Sequence, residues 1–366
     1  MIENLINCKK IKVLILQNQL SHYNVPIFDS IGAEKGISLF IGYFQKDKEC
    51  KIGLNFYEIN LKKIKIGPFI FSSNKLTVIC NEFDVVIALA DLHYISFMKL
   101  AFIKNKKFKL IYWGIGVSSS YKNKFDQKRR WDFLRFLIMK KADALIFYSD
   151  YPIEKYIKNG FKKEKLFVAP NTIEVTKTFI HNNIEKKNIL FVGKLYKEKG
   201  IYDLLYAYKE SYIINSEIPN LIIIGEGNEF NKIKKWIMKN KLNDKIFLLG
   251  GIYDNIELEK QYAKSIVSIS PNQAGLSVLQ SMGFGVPFIT KFDSITGGER
   301  FNIINYKNGI IYKNEKELVN IIVDIIRNKE LFYNMGMEAF KYYQECRKPR
   351  DMAKGFLNAI NYVLNS

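Results

Sequence analysis

The sequence predicts an α/β protein made of two facing Rossmann-like domains, in which helices cover both sides of a parallel sheet. Two observations lead to this fold class. The 366 residues exceed what one hydrophobic core usually holds, so two domains are expected. Short apolar runs alternate with helical stretches, and this pattern starts again after a polar segment at 180–188. We expect an N-terminal domain at 1–178, a C-terminal domain at 179–345, and a C-terminal helix at 346–366 that returns to the first domain.

The first half contains six short apolar runs of the kind that form buried parallel strands. They are KVLILQN, ISLFIGYF, DVVIALA, FKLIYWG, DALIFYS and KLFVAPNTI. Two stretches between them, SFMKLAFIKNKK and RRWDFLRFLIMKKA, are predicted helices. Because ligands of open α/β sheets bind beyond the carboxyl ends of the strands, the polar residues that follow these runs are candidates for a binding site.

The second half repeats the pattern with a stronger signal. The predicted strands are ILFVGKL, NLIIIGEG, KIFLLGG and IVSISP, and the predicted helices are GIYDLLYAYKESY, EFNKIKKWIMKNKL and NIELEKQYAKS. The C-terminal segment MEAFKYYQECRKPRDMAKGFLNAINYVLNS predicts two helices interrupted near Pro349, because proline breaks the helical hydrogen-bond ladder.

The chain is strongly basic, with 56 Lys and Arg against 36 Asp and Glu and a formal net charge of +20. This charge favours an anionic partner, which can be a nucleic acid, an anionic membrane surface or a phosphorylated small molecule. The sequence has no RNP-type aromatic motif and no recognition-helix motif, so we expect no nucleic-acid partner. With only three histidines and no metal-ligand spacing, we also expect no metal and no cofactor.

The cysteines and the hydropathy pattern bear on localisation. The cysteines lack CxxC or metal spacing and are expected to be reduced thiols of a cytoplasmic protein. They are Cys8, Cys50, Cys80 and Cys346. The first residues, MIENLINCKKIKVLILQ, lack the apolar core and cleavage site of a signal peptide, and no apolar run approaches the ~20 residues that span a bilayer. We expect a cytoplasmic protein, peripheral on the inner face of the cytoplasmic membrane.

The segment FVGKLYKEKG places two lysines at the carboxyl end of a predicted strand. The strand ends at Gly193, and Lys194 and Lys199 flank the polar turn that follows. Two cations at this position can neutralise a diphosphate, although they can equally be solvated loop lysines. Glu226 and Gly250, which follow the next two strands, are further candidates for donor binding. The segment LIIIGEGNEF lacks the third glycine of a dinucleotide fingerprint, and a tight turn is the alternative interpretation.

The stretch SISPNQAGLSVLQSMGFGVPFIT predicts a strand, a polar loop, a helix and a second strand. The unpaired N–H groups of the first helical turn, expected at 275–278, can bind an anion. Asn272 and Gln273 can hydrogen-bond sugar hydroxyls, and Gln280 lies two turns further on. The helix is also expected to pack through an apolar stripe of Leu276, Leu279 and Met282. The candidate donor-binding residues of this stretch are Gln273, Ala274, Gly275, Leu276, Ser277 and Gln280.

These segments, with IFLLGGI, follow one another as in GT-B glycosyltransferases, and the chain resembles family 4 of the retaining enzymes. The resemblance is strong over 188–313 and looser in the first half, through LSHYNVPIFDSI, LIYWGIG, KADALIFYSD and KLFVAPNTIE. In that family an Arg and a Lys at the positions of Lys194 and Lys199 hold the donor diphosphate. Lys in place of Arg loses the bidentate geometry of a guanidinium.

The family also carries two glutamates eight residues apart, which contact the transferred sugar and the ribose. The matching residues here are Asn272 and Gln280, and an amide carries no charge to offset a developing oxocarbenium ion. The front-face route thought to operate in these enzymes uses the leaving phosphate to take the acceptor proton. We hypothesise that Glu299, in SITGGERFN, reaches the ribose or the sugar instead; the alternative is a surface loop acid.

The acceptor is expected to bind to residues of the first half. Trp113 and Gly114 end one predicted strand and are candidates for acceptor or donor-sugar contact. Asn18 and Gln19 follow the first strand as acceptor-side candidates, while His22 and His93 are candidates for acid/base catalysis or for hydrogen bonding alone. These four candidates follow the apolar runs of predicted strands.

A basic aromatic run, YKNKFDQKRRWDFLRFLIMKKA at Tyr121–Ala142, can meet an anionic membrane, or it is a core helix with a solvated basic face. Taken with the resemblance, the sequence implies a retaining glycosyltransferase. It would use a nucleotide-diphosphate sugar and a glycan or polyprenyl-linked acceptor in bacterial surface polysaccharide assembly (O-antigen, capsule or lipopolysaccharide). The alternative is a non-catalytic nucleotide-sugar or glycan-binding protein on the same fold.

Overall fold

The computed structural model describes residues 10–50, 53–73, 75–120, 124–127, 131–176 and 185–366. The chain divides into two compact units. The first comprises Met1–Val117, Lys128–Asn171 and Pro349–Ser366, and the second comprises Ser118–Gln127 and Thr172–Lys348. The short insertion Ser118–Gln127, which belongs to the second unit, was not predicted from the sequence.

Each unit is an α/β structure, as predicted. The strands are β1 (Ile11–Leu20), β2 (Ile37–Lys46), β3 (Phe56–Asn60), β4 (Lys63–Ile66), β5 (Phe69–Ser72), β6 (Val85–Leu89), β7 (Lys109–Gly114), β8 (Ser119–Ser120), β9 (Lys124–Phe125), β10 (Ala144–Phe147), β11 (Leu166–Val168), β12 (Asn188–Val192), β13 (Asn220–Ile224), β14 (Ile246–Gly250), β15 (Ser265–Ile269), β16 (Gln273–Ala274), β17 (Phe288–Lys291), β18 (Ile295–Thr296) and β19 (Gly309–Tyr312). The α-helices are α1 (Val25–Gly32), α2 (Leu76–Cys80), α3 (Ile95–Lys99), α4 (Trp131–Met139), α5 (Ile153–Lys158), α6 (Ile201–Ile214), α7 (Phe230–Lys239), α8 (Asn255–Ala263), α9 (Ser277–Gly283), α10 (Glu315–Arg327), α11 (Lys329–Cys346) and α12 (Pro349–Leu364).

The first unit is built on a seven-stranded parallel sheet in the order β11-β10-β7-β6-β1-β2-β3. Its central strands are apolar on both faces because helices cover both faces. In β1, Val13 and Ile15 pack in the core that contains α1 and α12, while Leu14 and Leu16 pack in the opposite core with α2, α3 and α4. The C-terminal helix α12 therefore completes the first unit.

The second unit is built on a six-stranded parallel sheet in the order β14-β13-β12-β15-β17-β19. On one face Ile189 and Phe191 of β12 pack with α6, α7 and α10. On the other face Leu190 packs with α8. The carboxyl ends of β12, β13 and β15 lead into the loops that hold the predicted donor-binding residues.

Several predicted boundaries are wrong. Strand β1 continues to Leu20, where it pairs with Lys46 of β2, so Asn18 and Gln19 lie within a strand and not after it. The helix predicted over SFMKLAFIKNKK ends in a 3-10 turn at Phe102. Helix α9 begins at Ser277, two residues later than expected, because residues 273 and 274 form a short strand. The C-terminal pair of helices with its break before Pro349 is confirmed.

Candidate active site

The turn after β12 returns a lysine to the carboxyl end of that strand. Gly193 donates its N–H to the carbonyl oxygen of Ile224, which holds the strand end against β13. A 3-10 turn at Lys197–Lys199 follows, and Gly200, in the left-handed conformation at φ +75°, starts α6. A Cβ atom on Gly193 would lie 2.8 Å from Nζ of Lys199. The ammonium group thus lies directly over the glycine that ends β12.

Two glycines after β13 allow the neighbouring backbone to approach closely. A Cβ atom on Gly225 would lie 1.9 Å from the carbonyl oxygen of Gly193, and one on Gly227 would lie 2.3 Å from that of Leu195. The N–H of Leu195 donates to the carbonyl oxygen of Glu226 at 2.8 Å. The GEG sequence is therefore required by backbone packing, which agrees with the tight-turn alternative.

Lys199 is a half-buried cation. Burial, and to a smaller extent repulsion from the nearby Lys194, together lower the pKa of its ammonium group to about 8. Across the described part of the chain, no carboxylate lies within ion-pair distance of Lys199. A bound anion would relieve both effects, because an opposite charge favours the charged form of a base.

The loop before α9 lies against this lysine turn. The N–H of Asn272 donates to the carbonyl oxygen of Lys199 at 3.3 Å. Its side-chain Nδ2 donates to Oδ2 of Asp203, in the first turn of α6, at 3.0 Å. A Cβ atom on Gly200 would lie 2.6 Å from the same Nδ2, so only glycine fits there. Burial raises the pKa of Asp203, while the hydrogen bond from Asn272 opposes that shift.

The start of α9 presents backbone N–H groups without acceptors. Within the described ranges, the N–H groups of Gly275, Leu276 and Ser277 make no hydrogen bond, and Leu276 has no side-chain cap. The position of a Cβ atom on Gly275 would be open, with Nε2 of Gln273 as the nearest atom at 4.0 Å. Because α9 has only seven residues, these local N–H groups matter more than any macrodipole.

The apolar side of α9 differs slightly from the predicted stripe. Val278, Leu279 and Met282 are buried in a cluster with Phe288, whereas Leu276 is only half-buried at the helix start. Gln280 is half-buried, and its Oε1 lies 3.4 Å from the hydroxyl of Tyr262, which donates to it. These contacts anchor α9 on the sheet while its first turn remains open.

Glu299 is buried, so the alternative of a surface loop acid is wrong. Its carboxylate accepts hydrogen bonds from the hydroxyl of Thr296 at 3.0 Å and from the N–H of Gly297 at 2.7 Å. The loop is joined to the insertion 118–127, where the hydroxyl of Ser119 donates to the carbonyl oxygen of Thr296 at 2.8 Å. A role of Glu299 toward ribose or sugar stays a prediction.

Two of the acceptor-side candidates are buried in the first unit. Trp113 packs edge-on against Phe356 of α12 at 5.2 Å and against Tyr148 at 5.6 Å, and Gly114 beside it is also buried. Contact of Trp113 and Gly114 with the acceptor or the donor sugar stays a prediction. Trp113 closes the core beneath α12, which apolar burial explains.

The other first-unit candidates lie beside aspartates. Nε2 of Gln19 donates to Oδ1 of Asp47, and Nδ1 of His22 lies 3.8 Å from the other oxygen of that carboxylate. Asn18 is exposed on the same strand. Nδ1 of His93 lies 2.7 Å from Oδ1 of a second aspartate, Asp91. Sequence reasoning missed these aspartates and Asp203, because nothing in their local sequence distinguishes them from surface acids.

The described residues contain neither a metal-binding cluster nor a membrane-spanning helix. No group of three or more His, Cys, Asp and Glu residues there is arranged to hold a metal ion. No helix in that part of the chain has both the length and the apolar character to cross a membrane.

Glu226, the remaining donor-side candidate, is exposed after β13, and its carboxylate accepts a hydrogen bond from the hydroxyl of Tyr253 at 3.4 Å.

Comparisons with known proteins relate this chain to glycosyl transferases. Residues 174–342 match the family model described as glycosyl transferases group 1. The chain is 27% identical over 271 residues to the poly(glycerol-phosphate) alpha-glucosyltransferase of Bacillus subtilis, covering 71% of this chain. It spans 39% of the length of that relative.

Solved structures cover nearly the whole chain. The apo form of the lipopolysaccharide outer core galactosyltransferase WaaB matches with a TM-score of 0.67 at 17% identity, covering 96% of this chain and 99% of that one. A mutant of S. aureus TarM in complex with Fondaparinux, alpha-GlcNAc-glycerol and UDP matches with a TM-score of 0.69 at 14% identity, covering 96% and 100%. The protein has the GT-B glycosyltransferase fold, as predicted. The matched domain and the named relatives support a transferase enzyme of the glycosyltransferase class.

Proposed function

We propose that the protein transfers a sugar, with retention at the anomeric carbon, from a nucleotide-diphosphate sugar to a hydroxyl of a glycan or lipid-linked glycan. The observation that carries the proposal is the half-buried ammonium group of Lys199, which lies at the end of β12 and adjoins the loop 272–277. Two lysines that form no ion pair with a described carboxylate, together with the open N–H groups at the start of α9, suit a diphosphate.

The donor site has a direct role in catalysis. As the bond between the anomeric carbon and the phosphate oxygen breaks, negative charge grows on the leaving diphosphate. Lys194, Lys199 and the N–H groups of residues 275–277 would stabilise that charge without a metal ion. In the front-face route, the acceptor oxygen bonds to the anomeric carbon while its proton passes to the leaving phosphate oxygen.

The amide of Asn272 has a defined orientation for this chemistry. Because its Nδ2 donates to Asp203, its Oδ1 remains to accept from a sugar hydroxyl. Gln280 is held through its own Oε1, which leaves its Nε2 to donate. The pair would position the sugar and the ribose by hydrogen bonds, where the resembling family uses charged glutamates. We expect Glu299 to order the adjoining loop or to contact the donor.

The acceptor is proposed to be a surface glycan of bacteria, presented at the cytoplasmic face of the membrane. The named relatives include transferases of poly(glycerol-phosphate) and of the lipopolysaccharide outer core. The predicted membrane-contact segment Tyr121–Ala142 includes residues 121–123 and 128–130, which lie outside the described residues. Its helix α4 buries only Ile138 and Met139 and leaves Phe133 75% exposed, which favours a surface helix over a core helix.

The test is nucleotide binding by the double variant Lys194→Ala, Lys199→Ala. UDP and GDP are added separately to the full chain, and the shift in melting temperature and the Kd are measured. We expect the nucleotide that binds the wild-type protein to lose at least about tenfold in affinity, since two charge-assisted contacts disappear. Unchanged affinity would refute the assignment of the diphosphate site.

A matched control is Lys239→Ala, in the last turn of α7, which removes an exposed lysine of the same unit and should leave binding unchanged. Transfer or donor hydrolysis with the corresponding nucleotide sugar then distinguishes the enzyme from a non-catalytic binding protein. We expect turnover to persist in EDTA.

A further inference from the structure

A β-hairpin of the first unit presents an exposed apolar face. Strands β4 and β5 pair antiparallel, with Ile64 opposite Phe71 and Ile66 opposite Phe69. Directly paired residues share one face of a hairpin, as do alternate residues along a strand. These four side chains therefore form a single face. Ile64 is 50% exposed, Ile66 62% and Phe69 42%.

The opposite side of the hairpin attaches it to the unit. Ile70 packs against the core formed with α2 and α3, and its N–H donates to the carbonyl oxygen of His93 at 2.8 Å. The N–H of Ser72 donates to Oγ of Ser96 in α3 at 2.9 Å. Because Ile70 alternates with Phe69 and Phe71, the four-residue apolar face lies on the side away from this anchor.

The surroundings of the apolar face are rich in lysine, although Asp91 lies close by, beside His93. No Asp or Glu occurs between Glu58 and Glu82, and five lysines lie in β4, next to the hairpin in sequence, or in the adjacent α3. Nζ of Lys99 lies 6.0 Å from the ring centroid of Phe71, at the edge of the apolar face. Lys63 and Lys65 lie on the opposite face of the hairpin, because they alternate with Ile64 and Ile66. Lys62 and Lys75 flank the hairpin in sequence, and Lys99 belongs to α3. Long lysine stems can lie along apolar groups while their ammonium groups reach an anionic surface.

We propose that this hairpin is a docking surface for an anionic lipid bilayer. Ile64, Ile66 and Phe69 enter the boundary between headgroups and acyl chains, and the lysines contact lipid phosphates. A second copy of the chain fits poorly, because it would bring lysines against lysines. The proposal goes beyond the proposed function and does not depend on it, since lipid binding requires neither a donor nor turnover.

The test is sedimentation of the full chain with vesicles. Wild-type protein should bind vesicles of phosphatidylcholine mixed with phosphatidylglycerol, and should bind weakly to phosphatidylcholine alone or at high salt. The double variant Ile66→Asp, Phe69→Asp should partition at least about tenfold less, because it places two anionic groups in the docking face. Ile66→Trp should show a blue shift in fluorescence when the anionic vesicles are added.

The matched control places the same two charges on the second unit. Ile213 and Ile214, at the end of α6, are 68% and 60% exposed and lie between Glu210 and Glu217. The variant Ile213→Asp, Ile214→Asp should bind the vesicles as wild type does. A melting curve and the nucleotide Kd of each variant confirm that the fold is intact.

Three results would overturn the proposal. The first is wild-type protein that does not sediment with the anionic vesicles. The second is a folded hairpin variant that binds them as wild type does. The third is a wild-type dimer in size-exclusion chromatography that the hairpin variant abolishes, which would make a second copy the occupant of this face.

Discussion

Burial and a like charge set the proton affinity of Lys199. Its pKa falls to about 8 first because the ammonium group is desolvated and then because Lys194 repels it. A diphosphate bound beside it would raise the pKa again, since the anion favours the charged form. By linkage, the affinity for the anion is greatest below the pKa of Lys199 in the free protein. It falls as the pH rises through about 8 toward the pKa of Lys199 in the complex.

We therefore expect UDP or GDP affinity to weaken between about pH 8 and about pH 9.5, with a slope approaching tenfold per pH unit. Isothermal titration calorimetry across that range measures it. The variant Lys199→Arg keeps its charge throughout, so its affinity should change little with pH. A wild-type affinity that is constant from about pH 7 to about pH 9.5 would contradict this ionisation.

Asn272 shows how a single side chain depends on a neighbour distant in sequence. Its hydrogen bond to Asp203 joins residues 69 positions apart and fixes which amide atom remains for a ligand. Without this hydrogen bond, the side-chain amide of Asn272 could point either way, because the oxygen and nitrogen of an amide are nearly equal in shape. Asp203 thus acts as a positioning residue for the polar loop.

At the scale of elements, the site depends on how closely the turns after β12 and β13 approach. A Cβ atom on Gly225 would lie 1.9 Å from a backbone oxygen that cannot move without shifting β12. Gly250, the last residue of β14, is a useful contrast because its φ is +80° but a Cβ atom would meet nothing within 4 Å.

We expect Gly225→Ala to lower the free energy of unfolding by more than about 2 kcal/mol, since overpacking forces the backbone to shift. Gly250→Ala should cost about 1 kcal/mol, because it adds only the strain of a left-handed residue. Urea unfolding of both variants measures the difference. Equal destabilisation would mean that the close approach at Gly225 is not what requires glycine.

A second element-scale feature is the insertion 118–127, which supports the Glu299 loop. The ring centroids of Phe125 and Phe301 lie 5.6 Å apart with the planes tilted by 59°, and the guanidinium of Arg300 lies 5.5 Å from the Phe125 ring. Lys124 forms an ion pair with Asp293 at 3.5 Å. These contacts are made within the second unit and connect a segment of the amino-terminal half to the loop after β17.

At the scale of the whole molecule, the chain returns to its first unit after completing the second. Helix α12 covers the sheet of the first unit with Met352, Phe356, Ile360 and Val363, all buried. The carbonyl oxygen of Val168 would lie 2.3 Å from a Cβ atom on Gly355, so the helix approaches β11 closely. The first unit therefore lacks part of its core until the last residues are present.

We expect a chain that ends at residue 176 to lose cooperative thermal unfolding, because the apolar side chains that α12 covers would face water. Adding a peptide of residues 349–366 should restore it. In the full chain, Phe356→Ala should cost about 3–5 kcal/mol through the cavity left beside Trp113. A truncated chain that melts cooperatively at the wild-type temperature would show that α12 is dispensable.

The sequence by itself determined the fold class and most of the central strands. The strands β1, β7, β12 and β15 are buried on both faces, so each appears in the sequence as a continuous apolar run. Such runs are long enough to be recognised as strands from the sequence alone. It did not identify β4 and β5, because KIKIGPFIFS carries lysines and lies largely exposed, so its alternation does not read as a core strand. The turn after β12 that carries Lys194 and Lys199, and the polar loop before α9, were also recognisable from the local sequence.

Only the tertiary structure decided how those pieces are arranged around each other. It buried Trp113 under α12 and Glu299 within its own loop. It also paired Asn272 with Asp203 and joined Ser119 to Thr296 across 177 residues. The sequence predicts the periodicity of helices and strands and the turns at Gly and Pro, because these depend on residues that are neighbours along the chain. Burial and long-range hydrogen bonds depend on the packing of distant segments, which no local pattern contains.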